Sequence, residues 1–233
     1  MLEVELKKHR RGLTVEAAFT LEAGAALGLF GPSGAGKSTV LACLAGIEAP
    51  DHGHIRLGDR LLFPPPLPLH RRSVGYLTQE PNLFPHLTVE GNVAFGLPRA
   101  RARTPEQREW LERLRRQLHL DDCWSASVAR ISAGQARRVA LARMLAHRPA
   151  LVLLDEPFTG LDRALVRGLI ADLLEWRQAL GFTLIAVDHQ AEVLSRLCPQ
   201  VLAMEAGRIV ERGTWAELRL SSSASLRALL QPL

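Results

Sequence analysis

The chain has 233 residues, 47% of them hydrophobic and 23% charged, which excludes a disordered polypeptide and allows a sizeable core in one large domain or two small lobes. Lysine and arginine total 29 against 24 aspartate and glutamate, a formal +5 that favours phosphate-bearing or otherwise acidic partners without choosing among them. No apolar run approaches the ~18 residues of a membrane span, the three cysteines are too scattered for a disulfide framework or a zinc site, and the N-terminus lacks a signal peptide's apolar core, so a cytosolic protein is expected.

In chain order, Met1 to Leu6 alternates apolar and polar residues like a strand. Lys7 to Arg11 is the first of three basic clusters, followed by Arg99 to Arg103 and Arg113 to Arg116. Aromatic residues make up 5% of the chain and none interleaves the first two clusters. Solvated surface is therefore the simpler reading, and a base-stacking platform for nucleic acid is not indicated. Ala25 to Phe30, Val74 to Leu77, Leu151 to Leu154, Thr183 to Val187 and Val201 to Met204 are apolar runs without polar alternation. Such runs suit parallel strands covered on both faces. Pro64-Pro65-Pro66-Leu67-Pro68 can continue neither a helix nor a central strand, so a stiff surface loop is expected.

Helical patterns fall between the strands. Pro105 to Leu118 follows a candidate N-cap, Thr104, and places Trp110, Leu111, Leu114 and Leu118 on one stripe. Leu165, Val166, Leu169, Ile170, Leu173 and Leu174 repeat at helical spacing from Ala164 to Leu180. The alternation predicts an α/β fold, interrupted by an inserted helical lobe over the charged stretch from Arg99 to about Ile131. A serine-rich irregular segment, Ser221 to Ser225, lies near the end.

Gly31-Pro32-Ser33-Gly34-Ala35-Gly36-Lys37-Ser38-Thr39 joins the first apolar run to the helical-looking Val40 to Leu44. Glycines let the backbone curl so that successive N–H groups converge on a phosphate, and the helix start adds its positive dipole end. Lys37 can reach the β- and γ-phosphates and the Ser38 hydroxyl can ligate Mg²⁺. The strand Leu151 to Leu154 ends in two adjacent acids, Asp155 and Glu156. Asp155 is placed to hold Mg²⁺ directly or through water, while Glu156 can accept the proton of an attacking water. These elements alone fit many nucleotide hydrolases.

The residues between them narrow the choice. Ile131-Ser132-Ala133-Gly134-Gln135, continuing to Val139, resembles the signature motif of ATP-binding-cassette (ABC) ATPases. In the family's order, Gln79 resembles the Q-loop glutamine, Thr159-Gly160-Leu161-Asp162 the D-loop, and His189 the switch histidine. The resemblance implies a P-loop cassette with a mostly parallel sheet core, an N-terminal antiparallel β region and an inserted helical subdomain. Residues 1–79 and 150–220 would form the ATP-core lobe, 80–149 the helical signature subdomain, and 221–233 a tail. It further implies a head-to-tail homodimer sandwiching two ATP molecules with Mg²⁺. Ser132, Gly134 and Gln135 of one copy would meet the γ-phosphate held by the partner's Lys37. Ser38, Gln79 and Asp155 would form the protein side of the Mg²⁺ shell, His189 would hold the γ-phosphate and orient the water with Glu156, and Asp162 would tie the two sites together. Two positions depart from the family pattern: Ala133 replaces a second glycine, and Lys8, His9, Arg10, Arg11 and Gly12 stand where an adenine-stacking aromatic is usual. Weak discrimination between ATP and GTP is the expected consequence.

Leu83-Phe84-Pro85-His86-Leu87-Thr88-Val89-Glu90-Gly91-Asn92-Val93 resembles the matching segment of bacterial importer ATPases, particularly those for molybdate, sulfate and related solutes. In those proteins it meets a permease helix, with Leu83, Phe84 and Leu87 as the apolar seat. The implied partners are integral membrane permease subunits and a solute-binding protein, at the cytoplasmic face of the cell membrane. The chain stops at Leu233, soon after Glu205 to Val210, so the C-terminal regulatory domain common among such relatives, and control through it, are expected to be absent. An exporter ATPase is the nearest alternative. A non-transport ABC ATPase acting on nucleic acid is a further one, disfavoured because its usual insertions or second cassette have no room here.

Overall fold

The computed structural model describes residues 1–98, 104–221 and 223–230. Among these, ten strands form one mixed sheet: β1 (Leu2–Arg10), β2 (Leu13–Leu21), β3 (Ala26–Phe30), β4 (His52–Leu57), β5 (Arg60–Phe63), β6 (Val74–Leu77), β7 (Leu151–Asp155), β8 (Thr183–Val187), β9 (Gln200–Glu205) and β10 (Arg208–Thr214). Their order across the sheet is β5-β4-β1-β2-β10-β9-β3-β8-β7-β6. Strands β9, β3, β8, β7 and β6 run parallel, whereas β1, β2, β4 and β5 pair antiparallel.

The two halves of the sheet bury their residues differently. In β7, Leu151 and Leu153 join one core while Val152 and Leu154 join the other, all fully buried. In β8 the same alternation divides Ile185 and Val187 from Leu184 and Ala186. Two covered faces explain why these strands lack polar alternation. Strand β1 instead buries Leu2, Val4 and Leu6 on a single face.

Helix α1 (Lys37–Ala45) packs against β2 and also against β6 and β7. Strands β2 and β7 are five strand spacings apart, about 24 Å in a flat sheet. That exceeds twice the ~10 Å diameter of a helix, so the sheet curls around α1. The start of α1 is thereby fixed at the mouth of the curl.

Between β6 and β7 lie α2 (Val89–Val93), α3 (Pro105–Gln117) and α4 (Ala133–Ala146). Thr104 caps α3 by accepting from the Gln107 N–H at 3.3 Å, and Trp110, Leu114 and Leu118 are buried, with Leu111 only partly so. Trp110 Nε1 and Gln107 Nε2 donate to the Leu145 and Ala146 carbonyls at 3.0 and 2.9 Å, locking α3 onto the end of α4. Helix α5 (Arg163–Leu180) begins one residue earlier than its apolar pattern, because Asp162 accepts from the Leu165 N–H at 2.9 Å and caps it. Helices α6 (Ala191–Leu197), α7 (Trp215–Leu218) and α8 (Ala224–Leu230) complete the chain. The serine-rich segment is less irregular than its composition suggests: Ser221 is buried and donates to Glu211, and a helix follows.

The basic clusters mostly pair within the chain. Lys7 meets Glu16 at 2.8 Å, Lys8 meets Asp51 at 3.0 Å, and Arg10 meets Glu48. Arg113 meets Glu175, and Arg115 meets Asp121 at 2.9 Å. The cluster from Arg99 to Arg103 lies outside the described residues.

Candidate active site

The loop from Gly31 to Gly36 carries the chain from β3 into α1. Gly31 and Gly36 adopt φ of 145° and 98°, and both are also needed for close approach. A Cβ on Gly31 would stand 2.1 Å from the Met204 carbonyl oxygen, and one on Gly36 would stand 2.7 Å from Val15 Cγ2. Lys37 is almost completely buried, and its ammonium donates to the Gly31 and Pro32 carbonyls at 2.8 Å each. Two of its three protons are thus used on the loop, leaving one for a phosphate oxygen. Burial lowers the Lys37 pKa, opposed by the charges of Asp155 and Glu156.

The two adjacent acids at the end of β7 are held differently. Asp155 is buried and accepts from Ser38 Oγ at 3.3 Å and from the hydroxyl of Tyr76, the chain's one tyrosine, at 3.2 Å. Burial raises its pKa, with the Ser38 and Tyr76 hydrogen bonds opposing. Ser38 and Asp155 form a pair of hard oxygen donors of the kind Mg²⁺ takes when phosphate and water complete its shell, so the donor set fits that ion.

Glu156 has a left-handed backbone, φ 50°, a conformation that costs a non-glycine residue about 1–3 kcal/mol. Its N–H donates to the Val187 carbonyl at 2.9 Å and its carbonyl accepts from Arg137 at 2.6 Å. The carboxylate meets His189 Nε2 at 2.6 Å and accepts from Gln79 Nε2 at 3.3 Å. Asp188, beside His189, is buried and accepts from the Gln190 N–H at 2.9 Å; burial raises its pKa.

The structure therefore links Ser38, Asp155 and Tyr76 in one chain of contacts, and Gln79, Glu156 and His189 in another. Ser132, Gly134 and Gln135 join neither. They open α4, where Ser132 Oγ accepts from the Gln135 N–H at 3.2 Å and Gln135 Oε1 accepts from the Ser132 N–H at 2.8 Å, a reciprocal cap. Ala133 is exposed, whereas a Cβ on Gly134 would meet Leu161 at 3.3 Å. Gly134 is thus the position against which Leu161 packs.

A cleft of about 400 Å³ beside the loop is lined by Arg10, Arg11, Leu13, Gly34, Gly36 and Lys37, with Ser38 and Thr39 behind them. His9 lies outside it: its Nδ1 is 3.2 Å from Thr14 Oγ1 and its ring stands edge-on to His52. A larger groove of about 1000 Å³ lies between sheet and helices, lined among others by Leu69, Arg71, Phe84, Phe95, Arg143 and His147. Of Leu83, Phe84 and Leu87, only Phe84 lines it; Leu83 is partly buried and packs against the core. Leu69 and Phe95 also line it and are exposed. Neither they nor Tyr76 carried a positional signal in the sequence.

The family model described as ABC transporter matches residues 15–159. The chain is 45% identical over 225 residues to an Fe(3+) ions import ATP-binding protein of Rhodococcus jostii, covering 93% of this chain and 63% of that one. It is 38% identical over 231 residues to a molybdenum import ATP-binding protein of Mycobacterium tuberculosis, covering 94% and 61%. It is 39% identical over 223 residues to a thiamine import ATP-binding protein of Salmonella paratyphi A, covering 94% and 92%. The chain thus spans under two thirds of the length of the iron and molybdenum relatives. Among solved structures, a dimeric ATP-binding cassette in a post-hydrolysis state bound to ADP and Pi superposes with a TM-score of 0.81 at 24% identity, covering 92% of this chain and 98% of that one. An ATP-binding subunit of an ABC transporter gives 0.80 at 28% identity, covering 98% and 97%.

Proposed function

The chain belongs to the ABC transporter family, and we propose that it is an ATP-hydrolysing subunit that dimerises on ATP and drives separate membrane permease subunits in solute import. The observation that carries the reading is the division of labour at the end of β7: Asp155 is buried on Ser38, while Glu156 is turned to His189 and Gln79. These contacts support assigning the cation to Asp155 and the proton to Glu156.

In the proposed reaction, the Gly31–Gly36 backbone and Lys37 bind the β- and γ-phosphates. Ser38, Asp155 and Gln79 are the residues that would hold Mg²⁺, which supplies charge neutralisation to the phosphates when bound. A water oxygen attacks the γ-phosphorus, the bond to the bridging oxygen breaks, and ADP and inorganic phosphate leave. Glu156 accepts the water's proton, and His189 orients that water and the γ-phosphate. Ser132, Gly134 and Gln135 of a second copy present the helix start of α4 to the same phosphate. We read residues 1–79 and 150–220 as the ATP-core lobe and 80–149 as the signature subdomain.

The groove holding Leu69, Phe84 and Phe95 is the proposed seat for a permease helix, at the cytoplasmic face of the membrane. No helix among the described residues is long and apolar enough to cross a membrane. The solute remains a class, a small nutrient taken up with a solute-binding protein: relatives named for iron, thiamine and molybdenum match at 45%, 39% and 38%, so molybdate is not singled out.

The test is phosphate release from Mg²⁺-ATP by the purified chain, with its mass followed by light scattering. We expect hydrolysis and an ATP-dependent dimer, and Ser132→Arg should abolish the dimer while nucleotide still binds. A wild-type chain that releases no phosphate, or a Ser132→Arg chain that still dimerises on ATP, refutes the reading.

A further inference from the structure

Arg137 lies in the second turn of α4 and is 5% exposed. Its Nη1 donates to the Thr78 carbonyl at 2.8 Å and to the Gln79 carbonyl, and its Nη2 donates to the Glu156 carbonyl at 2.6 Å. One planar guanidinium thus holds the backbones of two separate segments, 78–79 and 156, whose side chains meet each other only through the 3.3 Å contact from Gln79 to Glu156. The same helix holds the rest of the Gln79 segment: Arg143 donates to the Pro81 and Asn82 carbonyls at 2.9 Å each. Glu156 has a left-handed backbone, φ 50°, which persists only where its surroundings over-determine it. Its N–H is fixed by the sheet through Val187, and its carbonyl by Arg137.

We propose that Arg137 is a positioning residue for hydrolysis, one that sets the Glu156 carboxylate and the Gln79 amide relative to each other and ties both to the helix that begins at Ser132. The proposal rests on the ATPase reading above and deepens it. Since α4 carries the helix start expected to meet the partner's phosphate, any shift of α4 on dimer closure is transmitted through one rigid fork to the proton acceptor. Lysine substitutes only in part, because an ammonium is a point donor without the fixed fork that reaches all three carbonyls.

The test compares wild type with Arg137→Lys, Arg137→Met and Arg137→Ala, measuring kcat for Mg²⁺-ATP hydrolysis, the ATP dissociation constant by calorimetry, and Tm. A misplaced proton acceptor predicts a kcat about 100-fold lower in the methionine variant and about 10-fold lower in the lysine variant. ATP affinity should stay within about threefold, because the phosphate loop is not held by Arg137. Millimolar methylguanidinium should restore part of kcat in the alanine variant without changing ATP affinity, a response that a purely structural role would not give. If the methionine variant fails to fold, the lysine variant and the rescue of the alanine variant decide the matter. The proposal is overturned if kcat is unchanged in folded variants, or if kcat and ATP affinity fall by the same factor with no rescue. An active wild type with indifferent Arg137 variants sinks this proposal alone, whereas an inactive wild type sinks both.

Discussion

Replacing Glu156 with glutamine separates chemistry from folding, and the structure sets the size of each effect. The side chain is 17% exposed and its partner His189 is 53% exposed, so the contact between them is solvent-screened and contributes at most about 1 kcal/mol. Glutamine keeps an oxygen that accepts from Gln79 Nε2, and the backbone clamps from Val187 and Arg137 do not involve the side chain. For a chain of 233 residues, a change of that size moves Tm by no more than about 4 °C. Catalysis loses far more, since removing a positioned base costs about 10²–10⁴-fold, or about 3–5 kcal/mol of barrier. Single-turnover phosphate release, run beside a thermal melt and an ATP titration, measures all three quantities. We expect turnover reduced by about a thousandfold, with binding and melting nearly unchanged and the ATP-bound dimer accumulating. A glutamine variant that turns over within about tenfold of wild type would remove Glu156 from proton transfer.

Two further outcomes follow from the same geometry. Because burial raises the Asp155 pKa, its stabilising form is the protonated one, and that stability is lost as pH rises through the raised pKa. Asp155→Asn should therefore melt higher than wild type at neutral pH without Mg²⁺, with the difference vanishing in acid, and Mg²⁺ should stabilise wild type only; a variant that melts lower at neutral pH would contradict the assignment. The cleft lined by Arg10, Arg11 and Leu13 offers a nucleobase guanidinium and aliphatic contact, which any base face accepts, so ATP and GTP should bind with affinities less than about a hundredfold apart, within about 2.7 kcal/mol. Arg11→Ala should weaken both alike, and a preference for ATP of about a hundredfold or more by calorimetry would refute it.

How much of this could be read before the structure depended on where each residue's partner lies. Strands β7 and β8 announced themselves because both faces are buried, so no polar residue interrupts them. Helix α5 did so through its apolar spacing, although its Asp162 cap came only with the structure. Strands β4, β5 and β10 went unread because they are partly exposed and carry polar and charged residues, so that His52–Leu57 or Arg208–Thr214 look like loop in isolation. Strand β5 pairs with its neighbour β4 and β10 with its neighbour β9, whereas β4 is also held by β1, far away in sequence, and no local pattern encodes that pairing. The groove residues Leu69 and Phe95 failed for a similar reason, since exposure is a property of the packed lobes and not of the segment.

Within the site the same distinction separates motif from mechanism. Ser132 and Gln135 sit three residues apart and satisfy each other, so spacing alone reveals the cap. Gly31 and Gly36 are similarly visible, because a backbone that must curl and admit Met204 and Val15 closely accepts no other residue. Arg137 is different. All three of its acceptors are main-chain carbonyls, at Thr78, Gln79 and Glu156, and a carbonyl is the same whichever residue supplies it. A side chain whose partners are backbone leaves no complementary letter anywhere in the chain, so the contact that joins α4 to Glu156 is invisible until the fold brings them together. On the proposed reading the motifs supply the groups that touch nucleotide, and a buried guanidinium fork such as this one supplies the group that aims them.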